Sequence, residues 1–346
     1  MSGKKYFITG GAGFIGSNFI TYLLKRYPHI QIINYDNLTY AGNLENLTAI
    51  ENDPRYLFVR GDICDPGAVD YALEGYRPDY VVNFAAESHV DRSIKSPDIF
   101  IKSNVLGVQN LLKAASHYGV EKYLQISTDE VYGSLGPAGY FTESTPLNPR
   151  SPYSASKAGA DLLTQAYFHT FDLPVNITRC SNNYGPFQFP EKLIPLTILR
   201  CLRGENIPVY GDGKNIRDWI HVDDHCSAID LVLSKGVPGG VYNIGSNNER
   251  TNIEIVGSII QILVDMREDL KVTDALITFV EDRKGHDRRY AIDATKIRNE
   301  LGWGPSVPFE TGLKDTIAWY LDHAGWLDSV VSTEYRSYYQ NVYGMR

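Results

Sequence analysis

Three side chains able to move or hold protons stand together at Thr128, Asp129 and Glu130, directly after the apolar run 123–126. In a dry pocket, adjacent carboxyls push their pKa values apart, so that one keeps its proton while the other accepts one. That is a division of labour suited to general acid–base chemistry. Gly133 then lets the backbone turn away. A second pair follows at Tyr153 and Lys157, four positions apart and therefore on one face of any helix that carries them. An ammonium group beside a phenol favours phenolate, so the pair predicts a lowered Tyr153 pKa and a proton acceptor for a hydroxyl. Each pattern alone is also that of an ordinary polar loop or helix surface. Their meaning depends on the elements around them.

Those elements alternate as strand and helix. An apolar strand at 4–9 runs into Gly10, Gly13 and Gly16, and a helical apolar pattern starts at Phe14 and Ile15. In that order the first glycine permits a tight turn, the second lets the backbone approach a pyrophosphate, and the third lets helix pack on strand. A strand at 30–35 ends on Asp36, followed by Asn37, Leu38 and Thr39. A carboxylate there accepts hydrogen bonds from a ribose and repels a 2′-phosphate, which favours NAD over NADP. Strands at 56–59 and 80–84 end near Asp62 and Ile63, and at Phe84, Ala85 and Ala86. Asp62 could reach an adenine amino group, and the small alanines leave room for a cofactor at the sheet edge.

A long helix is predicted over 98–116, a fifth strand leads into Thr128, and Pro152 opens a helix through Tyr153 and Lys157. A sixth strand spans 174–178; beyond it the loops lengthen and the alternation breaks. The reading is an α/β protein: a doubly wound parallel-sheet Rossmann domain over 1–180, to which 217–245 return, and a smaller α/β substrate-binding domain over 181–216 and 246–346. Its loop 282–289 carries Arg283, Lys284, His286, Arg288 and Arg289, a cationic knot that could neutralise a diphosphate. Tyr335, Tyr338, Tyr339 and Tyr343 near the C-terminus read as packing and surface.

A net charge of −8 argues against nucleic acid and anionic membranes as partners. Hydrophobic residues make up 43% and charged residues 21%, as in globular proteins, and no stretch reads as a signal peptide or membrane span. The four cysteines, Cys64, Cys180, Cys201 and Cys226, lack metal or redox spacing and read as buried free thiols of a cytoplasmic protein; no metal is expected.

On these motifs the chain resembles the extended short-chain dehydrogenase/reductases and, among them, the dTDP-glucose 4,6-dehydratase family. Thr128-Asp129-Glu130, the stretch from Phe84 to Asp91, Asn182-Asn183-Tyr184-Gly185-Pro186, Glu191-Lys192-Leu193-Ile194-Pro195, Arg217-Asp218-Trp219 and Gly285-His286-Asp287-Arg288-Arg289-Tyr290 carry the resemblance. It covers nearly the whole chain. Lys284 departs from the pattern, which has Pro before the glycine.

The resemblance implies an internal redox cycle with NAD on a nucleotide-sugar, dTDP-glucose. Tyr153 would take the proton from the hydroxyl on sugar carbon 4, with Thr128 holding that oxygen and Lys157 supporting Tyr153. Glu130 would then remove the carbon 5 proton and Asp129 protonate the departing carbon 6 hydroxyl. It further implies substrate contacts from Ser88, Asn182, Lys192, Leu193, Pro208, Tyr210, Arg217, Asn252, Arg283 and His286. Cofactor contacts would come from Phe14, Ile15, Asp36 to Thr39, Asp62, Ile63, Ser88, Ser103, Tyr153, Lys157 (at the nicotinamide ribose) and Asn183, and a homodimer would form through the helices at 98–116 and 152–171. The alternatives are a UDP-glucose 4,6-dehydratase, a 4-epimerase, or a nucleotide-binding sensor with no reaction.

Overall fold

The computed structural model describes residues 3–331, so the tyrosines at 335, 338, 339 and 343 lie outside the described residues. Strands buried on both faces must be almost continuously apolar, and short runs of this kind bounded by turn residues form the sheet. They are β1 (Lys5–Thr9), β2 (Gln31–Asp36), β3 (Tyr56–Arg60), β4 (Tyr80–Asn83), β5 (Lys122–Thr128) and β6 (Val175–Cys180). Six further strands follow: β7 (Asn182–Tyr184), β8 (Ile207–Tyr210), β9 (Ile216–His221), β10 (Val241–Ile244), β11 (Glu249–Thr251) and β12 (Ile277–Val280).

The main sheet has seven strands in the order β10-β6-β5-β4-β1-β2-β3, all paired in parallel. This is the doubly wound sheet expected from the alternation. The chain winds outward from β1 through β2 and β3, then crosses to β4 on the other side. The switch point therefore lies between β1 and β4, where a crevice opens beyond the strand ends.

Helix α1 (Phe14–Arg26) follows the expected spacing, and α2 (Pro66–Tyr76) begins on Asp65, whose carboxylate accepts the Gly67 and Ala68 N–H groups. The single helix predicted over 98–116 is interrupted instead. After the short α3 (Val90–Lys95) and α4 (Pro97–Ile101), a widened π turn spans Lys102–Gly107, and α5 (Val108–Tyr118) completes the run. Long-range ties account for the widening. The Asn104 side chain accepts the Glu87 N–H at 2.9 Å and donates to the Glu87 carbonyl and the Ser156 hydroxyl at 2.9 and 2.8 Å. Such turns recur where a helix serves a site.

Helix α6 (Pro152–Phe171) packs against β5 and β6, and α7 (Leu193–Arg203) packs on α9 (Asn252–Met266). β9 lies between β7 and β11 in a separate three-stranded sheet, where the Asp218 carboxylate accepts the Ser246 and Asn248 N–H groups at 3.0 and 2.6 Å. α8 (Val222–Lys235) packs on α1, and β10 joins the edge of the main sheet beside β6. α9 (Asn252–Met266), α10 (Thr295–Leu301), α11 (Phe309–Asp322) and α12 (Ala324–Val330) follow. Of these, α9, α11 and α12 share a second apolar core with α7, built on residues such as Ile198, Ile259 and Ile317.

Candidate active site

At the switch point Gly10 adopts φ +69°, and a Cβ added there would stand 2.5 Å from the Ala85 nitrogen. A Cβ on Gly16 would stand 2.4 Å from the Gly10 carbonyl oxygen. Both positions therefore require glycine: one for the turn and the β4 loop behind it, the other for helix on strand. Helix α1 starts at Gly13 with no side-chain cap, so its first-turn N–H groups face the cleft as an anion cradle. At the end of β2, the Asp36 carboxylate accepts the Ala12 and Leu38 N–H groups at 2.9 and 2.8 Å. Burial raises its pKa and these two N–H groups pull it back down. An uncapped helix end beside a fixed carboxylate fits NAD and opposes an extra phosphate on the ribose.

The catalytic candidates sit where β5 stops. Thr128 accepts the Glu130 N–H on its hydroxyl at 3.3 Å and so caps a short 3-10 turn, Asp129–Tyr132. Gly133 closes the turn at φ +85°, with the Asn148 carbonyl oxygen where a Cβ would be. In a continuing strand, Asp129 and Glu130 would point to opposite faces. The turn brings both onto one lining. Their electrostatics are unequal. Asp129 is 2% exposed, and burial, then the Glu130 charge, hold its pKa well above the usual carboxylate range. Burial also raises Glu130, but Lys192, Arg217 and Arg283 pull it back. Oδ2 of Asp129 is buried without a hydrogen-bond partner among the described residues.

A reciprocal capping box starts α6: the Ser151 and Ser154 hydroxyls each accept the other's N–H at 3.0 Å, with Pro152 at the first helical position. Tyr153 and Lys157 both line the cleft, and the Lys157 ammonium donates to the Ile126 carbonyl at 2.6 Å. The lowered Tyr153 pKa expected from Lys157 is not found. Burial, followed by the Glu130 charge, drives it well above the ordinary phenol value, against a smaller lowering by the Thr128 hydroxyl. Lys157 is itself lowered by burial, with the Asp161 charge opposing.

Other charged and aromatic groups of the cleft come from later in the chain. The Lys192 ammonium donates to the Ser88 carbonyl at 2.9 Å. Arg283 meets both oxygens of Asp91 at 2.6 and 2.8 Å, and the Tyr210 hydroxyl donates to the same carboxylate at 3.0 Å. Arg217 lies 4.2 Å over the Tyr290 ring and donates to the Asp287 carbonyl at 2.9 Å. The cationic knot contributes less than expected. Arg288 pairs with Asp212 at 2.8 Å and Arg289 with Glu249 at 2.6 Å, and Lys284 is exposed; none of the three lines the cleft. His286 does, yet burial lowers its pKa to about 4, so it is neutral at physiological pH.

The two halves form one cleft of about 530 Å³. Apart from those three cations, it collects every residue anticipated as catalytic, cofactor-binding or substrate-binding except Leu38, which takes φ 55° and gives its N–H to Asp36. Asn183 reaches the lining, but its amide is already engaged, donating to the Ser181 carbonyl and meeting His225 Nδ1 at 2.8 Å. Cys64 is half-exposed in the lining rather than buried; the other three thiols are buried and all four are free. Sequence reasoning gave no role to Asp91, Asp287 or Tyr290. All three lie in the quoted motifs, and their signal is a charge or ring beside an arginine.

Fold and site together define an NAD-binding extended short-chain dehydrogenase/reductase. A family model described as GDP-mannose 4,6 dehydratase matches residues 7–316. The dTDP-glucose 4,6-dehydratase of Xanthomonas campestris pv. campestris (strain B100) is 52% identical, with 96% of this chain and 97% of that protein covered. Among solved structures, the dTDP-glucose 4,6-dehydratase of Streptomyces venezuelae, crystallised with NAD bound, superposes with a TM-score of 0.90 at 49% identity, covering 94% and 99% of the two chains. A UDP-glucose 4-epimerase from Thermotoga maritima shares the fold at 30% identity, TM-score 0.84, with 92% and 99% covered. The chain belongs to the dTDP-glucose 4,6-dehydratase family.

Proposed function

We propose that this protein is a hydro-lyase that converts dTDP-glucose to dTDP-4-keto-6-deoxyglucose, with NAD as a recycled cofactor. The observation that carries the reading is the Asp129–Glu130 pair: two carboxyls of unequal proton affinity on one lining, in electrostatic contact with Tyr153. An enzyme that only inverts carbon 4 needs no acid at carbon 6. When bound, NAD supplies a positively charged ring beside the site and a store for the hydride taken from carbon 4 and returned at carbon 6.

The residues do the proton work. Tyr153 accepts the proton of the carbon 4 hydroxyl, whose oxygen Thr128 holds. Because Tyr153 is buried, positive charge must favour its phenolate, and Lys157 stands one turn along the same helix face. The ketone acidifies the carbon 5 proton, which Glu130 removes, its base form favoured by three nearby cations, and which Glu130 gives back to carbon 5 after water has left, completing the product. Asp129 keeps its proton until the carbon 6 hydroxyl departs. Arg217 and Arg283 suit the diphosphate, the second prepared by Asp91 and Tyr210.

The same proposal divides the chain into a cofactor lobe, 1–180 with the later α8 and β10, and a nucleotide-sugar lobe made of the rest. It includes a homodimer, supported by exposed Ile99, Ile101 and Leu106 beside exposed Leu162 and Phe171 of α6. Cytoplasmic placement is supported by four free cysteines, and among the described residues no helix is long and apolar enough to cross a membrane. Incubation with dTDP-glucose and UDP-glucose in parallel, read by mass spectrometry, tests the reaction. Loss of one water from the thymidine sugar is expected; a product that keeps its carbon 6 hydroxyl overturns it.

A further inference from the structure

The loop after β2 forms one wall of the cofactor half of the cleft, and the segment before α7 forms a wall on the side of the second lobe. Tyr40 joins them. Its hydroxyl donates to Glu191 Oε1 at 3.1 Å, across 151 positions of sequence. Its ring stands edge-on to Phe189, with centroids 5.8 Å apart and planes at 81°. The Arg92 guanidinium, from α3, lies 3.7 Å over the Tyr40 ring and meets Glu191 Oε2 at 3.4 Å. Three side chains distant in sequence thus close on one another, and Glu191 is only 6% exposed. Arg92 also offsets the burial of Glu87, whose charge Glu191 opposes. Glu191 precedes Lys192, the residue tied to the Ser88 carbonyl at the substrate wall.

We infer that Tyr40, Arg92 and Glu191 form a clasp over the cofactor half of the cleft and are positioning residues that retain NAD through successive turnovers. The inference rests on the proposed function, because a cycle that returns its electrons to the same sugar fails if the cofactor leaves midway. None of the three supplies a reacting group. Their contribution is to hold the loop that follows Asp36 against the segment that leads into Lys192. A cation–π contact shielded from water is stronger than an exposed one, and removing one partner of a buried charge pair strands the other. The clasp is therefore weakened by the loss of any one member.

The test reads NAD release from purified holoenzyme, without sugar, by dilution into an NAD-hydrolysing trap. Glu191→Gln and Tyr40→Ala should release NAD roughly tenfold faster or more, the scale of one lost hydrogen bond to a charged group. Tyr40→Phe, which keeps both ring contacts, should fall between these and the parent. Dehydratase activity of the first two should depend on added NAD, whereas the parent's should not. Release from folded Glu191→Gln and Tyr40→Phe as slow as from the parent overturns the clasp and leaves the dehydratase reading intact. A parent that retains NAD but removes no water from dTDP-glucose overturns that reading instead.

Discussion

Asp129 and Glu130 are neighbours in the chain, but their proton affinities are set by different surroundings. Glu130 feels cations from Lys192, Arg217 and Arg283, whereas Asp129 is dominated by burial and by Glu130 itself. Glu130→Gln should therefore still form a 4-keto-glucose, with NADH held in the site, and neither lose water nor take deuterium from solvent at carbon 5. Asp129→Asn should also stop at the ketone; rapid-quench mass spectrometry in heavy water reads both, and normal dehydration by either folded variant removes that residue from the mechanism. Asp129→Asn carries a second expectation. The folded pKa of Asp129 lies above its unfolded value, so the stability it contributes is complete below the unfolded value and lost as pH rises through the folded one. An amide, neutral throughout, escapes that loss. The variant should melt a few degrees above the parent at pH values above the folded pKa of Asp129, on the order expected for relief of one buried charge, with the gain shrinking as pH falls toward the ordinary carboxylate range. Tyr153→Phe should bind nucleotide-sugar almost as well but lose about a hundred- to ten-thousand-fold in kcat, the usual contribution of a general base. Near-normal turnover would make the Tyr153–Lys157 pair structural. The residue types were legible in the sequence because they lie within thirty positions of one another (~30, on the scale of one strand–turn–helix unit). The raised pKa of Tyr153 was not, because burial outweighs a charge one helical turn away.

The elements that carry these groups end where local chemistry ends them. β5 stops because the Thr128 hydroxyl captures the Glu130 N–H and Gly133 takes a positive φ. α6 starts because Ser151 and Ser154 cap each other. Tyr153 lies in the first turn of that helix, so Ser151→Ala should do more than lower stability by about 0.5–2 kcal/mol, the common cost of a lost cap. Fraying there would displace the phenol, and kcat should fall more than KM rises. A variant with the expected drop in melting temperature but unchanged kcat would show that packing alone holds Tyr153. The interrupted helix over 97–118 is the opposite case. Its apolar spacing was readable, but its π turn depends on Asn104 meeting Glu87 and Ser156, 17 and 52 positions away.

Across the molecule, the exposed apolar residues of 99–106 and α6 are the surface on which the proposed homodimer depends. Leu162→Glu, at a side chain that is 62% exposed, should shift sedimentation from dimer toward monomer with little change in the fold; a parent that already sediments as a monomer at micromolar concentration rules the dimer out. The glycine turn, Asp36 at the end of β2, the acid pair after β5 and the helix cap before Tyr153 were all readable from the chain, because each rests on residues close together in it. The selection among cations was not. Arg283 faces the cleft because Asp91, 192 positions away, receives it. Arg288 and Arg289 are drawn off by Asp212 and Glu249, 76 and 40 positions away. His286 is neutral because burial removes its charge. Tyr40 reaches Glu191 across 151 positions. Local spacing specifies a turn, a cap or a helix face, since these depend on backbone geometry over a few residues. Which charges meet, and which are buried, depends on how segments distant in the chain pack together, and no local pattern encodes that.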